Sequence, residues 1–376
     1  MQASNADLAL VRGLVEIPSV SRQEANAVSW LVARMAERGF RASVDEAGNA
    51  VGEIGEGPRH VVLLGHIDTV PGAIPVRVEG DELVGRGAVD AKGPLAAFVA
   101  AATAPVPGVR VTVVGAVEEE SPTSKGARHR ATLPAPDWCI IGEPSGWDGV
   151  AVAYKGRLVV RASLERAARH GAAPGPTCVE EALAFWASVR AQAETLAPGR
   201  SGSDPSAGDF EKSARGFDRS ARGFDRVDCR LEGISSESDG LVERADLRIG
   251  YRVPPGLATD ALLAEVSALA TAHRGDARVR IEKVASEEPV RTSRGSALAR
   301  AFARAISVSG GHASFKVKSG TSDMNVLARA WDCAMVAYGP GDSAYDHTPM
   351  ERLSLAEYER SIGVLRAVLR RGAEIP

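Results

Sequence analysis

The chain has 376 residues, of which 44% are hydrophobic and 25% are charged, and its formal net charge is -3. This balance is ordinary for a soluble protein and gives no overall attraction to nucleic acid or to an anionic membrane. A chain of this length can form about two or three domains. The four cysteines form no CxxC pair, so they predict neither a disulfide framework nor a thiolate zinc site.

The N-terminal segment and the hydropathy of the chain predict a cytoplasmic protein. The first twenty residues lack a basic start followed by an apolar run, unlike a signal peptide. No segment approaches the roughly 18 consecutive apolar residues of a membrane-spanning helix. We therefore expect a cytoplasmic protein that has no membrane partner and no nucleic-acid partner.

The first predicted elements are helices, followed by a strand, a helix and a strand. Residues 5–15 have helical apolar spacing, Ser21 and Glu24 are spaced as a capping box, and Gly39 is placed to end the second helix. The runs HVVLLG and VRVTVVGAV predict strands that are buried on both faces. The alanine-rich segment KGPLAAFVAAATA between them predicts a helix. This order predicts a βαβ unit in an open α/β sheet.

The pattern changes at AVAYKGRLVVRASL, residues 151–164, where strands with alternating burial are predicted. A helix, a polar stretch and further strands follow to about residue 264. This succession predicts a small α+β domain inserted into the α/β domain. We expect residues 1–154 and 266–376 to form the α/β domain and residues 155–265 to form the insertion.

The insertion contains the heptad SARGFDR twice in tandem, at residues 213–219 and 220–226. Two copies are too few for a solenoid. We interpret the repeat as a duplication in a solvated segment, and a helical face that binds a partner is the alternative.

Histidines and carboxylates recur where predicted strands end. His66 and Asp68 follow the apolar run VVLLG with one residue between them, so in an extended chain their side chains point the same way. The carboxyl ends of strands in an α/β sheet meet at one edge, where ligands bind. The other candidates are Asp90, Glu118, Glu119, Glu120, Glu143 and His347.

These residue types favour a catalytic centre for zinc, cobalt or manganese over a structural zinc site, which would normally contain thiolates. A carboxylate between two ligand sets can bridge ions about 3.5–4 Å apart, which activate water and polarise a carbonyl for amide hydrolysis. A free carboxylate must then move the proton from water to the leaving amine. Each residue also has a structural interpretation, because Asp90 could cap a helix and the glutamates could be solvated.

Five ordered motifs, GHIDTVPG, GRGAVDAKG, VEEESPTSKGA, GEPS and DHTPMER, resemble the signature segments of a di-zinc amidohydrolase family. This family includes acetylornithine deacetylase, succinyl-diaminopimelate desuccinylase and glutamate carboxypeptidase. The resemblance extends over essentially the whole chain. It implies an α/β fold with an open mixed-sheet metallohydrolase catalytic domain and an inserted α+β lid domain, which forms a homodimer. It also implies two divalent metal ions, zinc or alternatively cobalt.

The resemblance assigns five metal ligands by their positions in these motifs. His66 and Glu143 would bind the first ion, and Glu120 and His347 would bind the second. Asp90 would bridge the two ions.

The resemblance also assigns the catalytic carboxylates. Asp68 would orient the first histidine ligand from behind, as metal-bound histidines usually require. The family pattern Asp-Glu-Glu places Glu118 in the aspartate position and makes Glu119 the general base. A slip of one residue would give that role to Glu118.

The segment ARHGAAPGPTCVEEAL resembles the lid segment that contacts a substrate carbonyl, often across the dimer. It places His170 in that role. Glycine follows this histidine where the family has serine, and Thr177 and Cys178 stand where the family prefers asparagine and alanine. A histidine on the surface of the lid is the alternative.

Two further segments resemble family motifs that bind a substrate carboxylate. DLRIGYRVPPG resembles a lid strand whose arginine, here Arg252, would bind the carboxylate with its planar guanidinium group. KSGTSDMN resembles the Gly-Thr-Ser-Asp loop, in which the amides and hydroxyls of Gly320, Thr321 and Ser322 would bind the same carboxylate. The structural interpretation of this loop is a turn that leads into a helix.

Among subfamilies, the chain resembles hydrolases that release lysine or ornithine from an amino-group carrier protein. This resemblance rests on the compact length of the chain and on three segments, GHIDTVPG, VEEES and SSESDGLVERADLRIGYRVPPG. It implies cleavage of the amide between the carrier's C-terminal glutamate side chain and the α-amine of lysine. The alternatives are a deacylase of acetylated or succinylated ornithine, lysine or diaminopimelate, a dipeptidase, and an inactive metal-binding homologue.

Overall fold

The structure is a computed structural model that describes residues 5–196 and 223–373. The described helices are α1 Asn5–Val15, α2 Ala25–Glu37, α3 Lys92–Ala102, α4 Lys125–Ala131, α5 Cys178–Thr195, α6 Thr259–Ala272, α7 Ala297–Val308, α8 Asp323–Leu327 and α9 Leu355–Gly372. The described strands are β1 Arg41–Val44, β2 Ala50–Ile54, β3 Arg59–His66, β4 Arg77–Glu79, β5 Glu82–Val84, β6 Val109–Ala116, β7 Trp138–Gly142, β8 Gly149–Tyr154, β9 Gly156–Ala167, β10 Asp228–Ser238, β11 Val242–Val253, β12 Arg278–Glu287, β13 Val290–Arg291, β14 Ser314–Lys318, β15 Ala334–Ala337 and β16 Arg352–Ser354. None of these helices combines the length and the apolar character needed to cross a bilayer.

The largest sheet has nine strands in the order β1-β2-β6-β3-β7-β15-β8-β13, and β14 pairs with β8. Strands β6, β3, β7 and β15 run parallel to one another. Strands β2 and β13 pair antiparallel with their neighbours, so the sheet is mixed. Helix α3 joins the parallel strands β3 and β6, which confirms the predicted βαβ unit and the open mixed α/β sheet.

Strand β3 is buried on both faces, as its apolar sequence predicts. Val61 and Leu63 pack into the core that includes α1, α2, α3, α7 and α9. Val62 and Leu64 point the other way, into a second core that includes α4 and α8. The strand therefore has no solvated face. His66 is its last residue, so the side chain lies at the carboxyl edge of the sheet.

The prediction of a capping box before α2 was wrong. The N-cap residue is Glu24, and its side chain makes no capping hydrogen bond. Ser21 instead donates its hydroxyl to Asp68 Oδ2 over 2.7 Å, so a distant carboxylate takes the hydroxyl that a helix amide would have bonded. The prediction that Gly39 follows the helix end is confirmed, since α2 ends at Glu37 and Gly39 has a φ of 87°.

The second sheet contains four antiparallel strands in the order β10-β11-β9-β12. Helices α5 and α6 pack on one face of it and form a separate core. Thr177 and Glu180 form a capping box at the start of α5. The fourth strand, β12, lies beyond residue 265, so the sheet includes residues that the predicted boundary had assigned to the α/β domain.

Most of the tandem heptad, residues 213–222, lies outside the described residues. Phe224 of the second copy is described, and it is buried against Ala153 and Val317. This residue is therefore part of a core, whereas its described neighbours Gly223, Asp225 and Arg226 are exposed, as the interpretation of a solvated segment predicts.

A third sheet, with the order β16-β5-β4, lies beside the loop that carries Asp90. Strand β16 pairs antiparallel with β5, with Arg352 opposite Val84 and Ser354 opposite Glu82. This pairing brings the segment that follows His347 next to the segment that precedes Asp90.

Gly142 ends β7 and faces the neighbouring strand β3 at close range. A Cβ added to Gly142 would lie 2.9 Å from Gly65 Cα and 2.9 Å from Phe98 Cε2. Because neither neighbour can move without disturbing a packed core, we expect Gly142→Ala to lower the free energy of unfolding by about 1–3 kcal/mol. Urea unfolding of the purified variant measures this change.

The control is the same substitution at Gly363, an exposed position within α9 that has nothing within 4 Å of its added Cβ. Gly363→Ala should raise the free energy of unfolding by roughly 0.5–1 kcal/mol, because glycine costs conformational entropy inside a helix. A neutral Gly142→Ala variant would contradict the close approach of β3 and β7.

Candidate metal centre

His66 is buried at the end of β3, with 2% of its surface exposed. Its Nδ1 lies 2.9 Å from the backbone oxygen of Asp68 and its Nε2 lies 3.1 Å from Asp90 Oδ1. Because a carbonyl oxygen can only accept, Nδ1 carries a proton, which leaves Nε2 as the ring nitrogen that could bind a metal ion. Burial lowers the pKa of His66, but hydrogen bonds to Asp68 and Asp90 outweigh it and raise that pKa well above its usual value. Without a metal ion the ring therefore keeps a second proton on Nε2, which a bound ion would displace.

The Asp68 carboxylate organises the residues around it. It is fully buried and lies 3.6 Å from His66 Nδ1. It accepts the backbone N–H groups of Glu119 and Glu120 over 3.1 and 3.0 Å, in addition to the Ser21 hydroxyl. Burial opposes ionisation, but the contacts with His66 and these donors lower the pKa of Asp68. This carboxylate therefore fixes the glutamate run against the end of β3.

Asp90 lies between two histidines. Its Oδ1 is 3.1 Å from His66 Nε2, and its Oδ2 is 3.0 Å from His347 Nε2. His347 Nε2 also lies 2.7 Å from Glu120 Oε1. Burial raises the pKa of Asp90, but the hydrogen bonds to His347 and His66 outweigh it and lower that pKa. One carboxylate oxygen thus faces each histidine, which is the arrangement that a bridging ligand requires.

Two groups of described residues bring ligand atoms within 4.8 Å of one another. The first contains His66, Glu119 and Glu120, and the second contains Asp90, Glu120 and His347. Glu143 belongs to neither group, although it lines the same cleft. Nitrogen and carboxylate ligands without a thiolate suit a catalytic divalent ion, so the donor set fits such ions.

The pKa values of Glu119 and Glu143 are raised because several carboxylates lie close together in this site. Burial and nearby carboxylates raise the pKa of Glu119 well above its usual value, against the attraction of His66. Burial and the charge of Asp90 raise the pKa of Glu143 to about 8. Groups of like charge in a poorly solvated site resist ionisation unless a cation is present. This cluster is therefore electrostatically suited to hold divalent cations.

Four of the metal candidates, Asp90, Glu120, Glu143 and His347, line a cleft of about 450 Å³ that lies between the nine-stranded and four-stranded sheets, and His66 lies behind Asp90. Arg252 of β11 reaches into it and places Nη1 3.4 Å from Thr321 Oγ1. Gly320, Thr321 and Ser322 line the same cleft, as does Arg157, which pairs with Arg252 across the strands. Arg252, Gly320, Thr321 and Ser322 therefore line the same cleft as Asp90, Glu120, Glu143 and His347.

Ser322 has a structural use that limits its freedom. It is the N-cap of α8, where its hydroxyl accepts the N–H of Met324 and its own N–H donates to Asn325 Oδ1. For Ser322, the structural interpretation is therefore correct, because this residue begins a helix after a turn. Its half-buried neighbours Gly320 and Thr321 make fewer internal bonds and are better placed to contact a ligand.

His170 does not lie with the other candidates. It is exposed in the turn after β9, where its Nδ1 accepts the N–H of Ala172 over 3.2 Å. It is absent from the described residues that line the cleft.

The cleft contains several residues that were not predicted from the sequence, among them Lys318, Tyr154 and Asp346. Lys318 donates to the oxygen of Pro144 and to the hydroxyl of Ser343, and burial lowers the pKa of its ammonium group. Tyr154 and Asp346 also line the cleft. Lys318 and Asp346 are the first residues of the motifs KSGTSDMN and DHTPMER, which the sequence had singled out, whereas a tyrosine at the end of an apolar strand carries no such signal.

Comparison with known proteins supports the resemblance over the full chain. A [LysW]-lysine hydrolase of Deinococcus radiodurans is 46% identical over 367 residues, covering 96% of both chains. A putative [LysW]-lysine/[LysW]-ornithine hydrolase of Pyrococcus abyssi is 38% identical and covers 96% of this chain and 92% of its own.

Solved structures have the same fold at low sequence identity. An aminopeptidase PepT from Bacillus cereus aligns with a TM-score of 0.74 and 17% identity, covering 98% of each chain. A metallo-carboxypeptidase, Sso-CP2 of Sulfolobus solfataricus, aligns with a TM-score of 0.74 and 16% identity, covering 99% of this chain and all of its own. The sequence model of peptidase family M20/M25/M40 matches residues 62–371. The chain belongs to peptidase family M20/M25/M40.

Proposed function

We propose that this chain hydrolyses the amide that links lysine, or ornithine, to the C-terminal glutamate of a LysW-type amino-group carrier protein. The observation that carries the proposal is the 46% identity, over 96% of both chains, with a relative named [LysW]-lysine hydrolase. The geometry of the cleft supports it, because metal candidates, a free carboxylate and carboxylate-binding groups face one space. The reaction releases the free amino acid and would make the chain a biosynthetic hydrolase.

The proposed centre holds two divalent ions, zinc or alternatively cobalt. His66 and Glu143 would hold one ion, Glu120 and His347 would hold the other, and Asp90 would contribute to both. Ions bound here would polarise the scissile carbonyl and make water a better nucleophile. The contacts of Asp90 with both histidines support this assignment. Metal analysis of the purified protein distinguishes zinc from cobalt.

Glu119 is the proposed general base. It takes a proton from the attacking water and delivers it to the leaving α-amine, which departs as the free amino acid. Its backbone is fixed by Asp68 and its carboxylate lines the cleft, which supports this role. Glu118 is less suited, since its carboxylate accepts the Thr123 hydroxyl over 2.5 Å and lies 3.8 Å from Arg22.

The charges that line the cleft fit an anionic group on the substrate. Six carboxylates line it, against the three cations of Arg157, Arg252 and Lys318. Two divalent ions would bring the net charge of this lining to about +1, counting each group at its usual charge. The α-carboxylate of the amino acid next to the scissile amide would then contact Arg252 and Thr321, because a guanidinium group binds carboxylates well.

We also propose that the active form is a homodimer in the cytoplasm, joined through the four-stranded sheet and its helices. The position of His170 supports the dimer, because this histidine lies outside the cleft of its own chain. A second copy would have to supply it if it contacts the substrate carbonyl. We further propose the lid as a unit separate from the rest of the chain, because its core is distinct from those of the large sheet.

Replacing the proposed base tests the mechanism. We expect Glu119→Gln to lower turnover by about 10²–10⁴-fold, because the amide cannot accept the proton of the attacking water. Metal content, measured by mass spectrometry of the loaded protein, should stay near two ions per chain.

The matched control is Glu118→Gln, one residue earlier, which changes the same side chain outside the proposed proton path. It should retain turnover within about 3-fold, since it removes no interaction with the reacting atoms. The reverse outcome, with Glu118→Gln inactive and Glu119→Gln active, would move the base by one residue.

The metal-free protein should become less stable as the pH rises from about 6.5 to 8. Burial and Asp90 raise the pKa of Glu143 to about 8, and hydrogen bonds to Asp90 and Glu120 raise that of His347 to about 10. In this window the folded chain keeps protons that the unfolded chain loses, so the free energy of unfolding falls with pH. Urea unfolding of chelator-treated protein at several pH values measures the slope.

Zinc should abolish this decline, because bound ions replace the protons as the partners of the carboxylates. In metal-free protein, Glu143→Gln should reduce the slope. A metal-free protein whose stability rises across the window would contradict the crowded-carboxylate description.

The substrate is tested by comparing three compounds with the zinc- or cobalt-loaded enzyme. These are lysine attached to a carrier protein's C-terminal glutamate, free acetyl-lysine and free acetylornithine. We expect the carrier conjugate to have a kcat/KM at least about 10²-fold higher, because contacts remote from the amide contribute to transition-state binding. Higher kcat/KM for the small compounds would instead assign a deacylase activity to the same centre.

A further inference from the structure

The carboxylate of Glu351 is buried beneath the proposed metal centre, with 1% of the residue exposed. Its Oε1 accepts the backbone N–H groups of Val89 and Asp90 over 3.2 and 3.1 Å. Its Oε2 lies 2.8 Å from Arg86 Nη1. The two oxygens thus have separate tasks, because one bonds the backbone of the Asp90 loop and the other pairs with a cation.

The backbone of Glu351 is tied to the same loop. Its carbonyl oxygen accepts the N–H of Gly85 over 3.2 Å. Directly after it, β16 pairs with β5, so the loop that follows β5 is held at its start and near its end. A loop restrained at both points has little freedom to move Asp90.

The same short segment carries His347, four residues before Glu351. His347 Nε2 lies 3.0 Å from Asp90 Oδ2, and these two side chains belong to one of the groups able to hold an ion. We propose that Glu351 is a positioning residue whose carboxylate fixes Asp90 relative to His347 and thereby sets the affinity of the second metal site. The proposal rests on the metal pair of the proposed function.

The surroundings of Glu351 strengthen its hold on the loop. Water is excluded, so its hydrogen bonds are not weakened by competition, and a carboxylate bonds N–H groups more strongly than a neutral acceptor does. Lys92, also 1% exposed, donates to the oxygen of Ile17 over 2.6 Å and adds a nearby positive charge. Arg86 in turn donates to the oxygen of Gly72. A carboxylate that only balanced the charge of Arg86 would not have to accept two backbone N–H groups as well. The bonds to Val89 and Asp90 therefore indicate a second role, which is to hold the loop.

Two substitutions separate positioning from charge. Glu351→Leu removes the acceptors for Val89 and Asp90, and should weaken binding of one of the two cobalt ions by about 10–100-fold, the usual effect of losing support behind a ligand. Glu351→Gln keeps an oxygen for both amides, and should retain cobalt affinity within about 3-fold. Calorimetric titration of metal-free protein with cobalt measures both affinities, and the visible spectrum of bound cobalt reports altered geometry at one site.

The double variant Arg86→Met with Glu351→Leu guards against misfolding, because it removes the charge of Arg86 together with its partner, while Lys92 keeps its hydrogen bond to Ile17. It should show the same loss of cobalt affinity as Glu351→Leu. If all three variants bind two cobalt ions as the wild type does, or if Glu351→Gln loses as much affinity as Glu351→Leu, the positioning role is overturned.

The matched control is Glu181→Leu in the four-stranded sheet domain. Glu181 is 3% exposed, accepts the N–H of Ala277 over 2.9 Å and lies 3.2 Å from Arg166, so it has the same kinds of partner far from the metal candidates. This variant should unfold at a lower urea concentration yet bind cobalt normally. A wild-type protein that binds fewer than two ions would overturn the proposed function instead, and the effect of Glu351 would then have no second site to act on.

Discussion

The contact of one carboxylate with two histidines is the interaction on which the rest of the site depends. Asp90 presents one oxygen to His66 and the other to His347, at 3.1 and 3.0 Å. Further carboxylates, including Glu119 and Glu143, surround this contact in a poorly solvated cleft. Because like charges at short range in low dielectric repel strongly, the chain must hold these groups in place by other bonds.

Buried carboxylates that accept backbone N–H groups provide those bonds. Asp68 accepts the N–H groups of Glu119 and Glu120, and Glu351 accepts the N–H of Asp90. In each case the buried carboxylate fixes the backbone of a site residue. The side chain of that site residue then remains available to bind a metal ion or to move a proton. Such bonds are directional and join a buried side chain to the backbone, so they set the spacing of the metal candidates more tightly than ion pairs between flexible side chains would.

The sequence predicted the parts of the site that strand order determines. His66 and the glutamate run follow the apolar strands β3 and β6, and parallel strands bring their carboxyl ends together, so this proximity could be inferred without coordinates. The Ser21 contact with Asp68 and the Glu351 contact with Asp90 join residues 47 and 261 positions apart. No local pattern encodes such contacts, because they arise only when the loops between strands have folded. The same reason explains why β12 was not predicted in the second sheet: its alternating pattern identifies a strand but does not say which strand it pairs with.

Residues of both sheets line the cleft, so its function depends on both parts of the fold. The first sheet supplies the metal candidates and Thr321, whereas the second supplies Arg157 and Arg252. Arg252 lies within 3.4 Å of Thr321, so a carboxylate bound there would contact both parts at once. Substrate binding would then stabilise the contact between the two sheets as well as align the amide with Glu119. The proposed substrate fits this arrangement, because its α-carboxylate lies next to the scissile bond and only the terminal amide of the proposed carrier protein would have to enter the cleft.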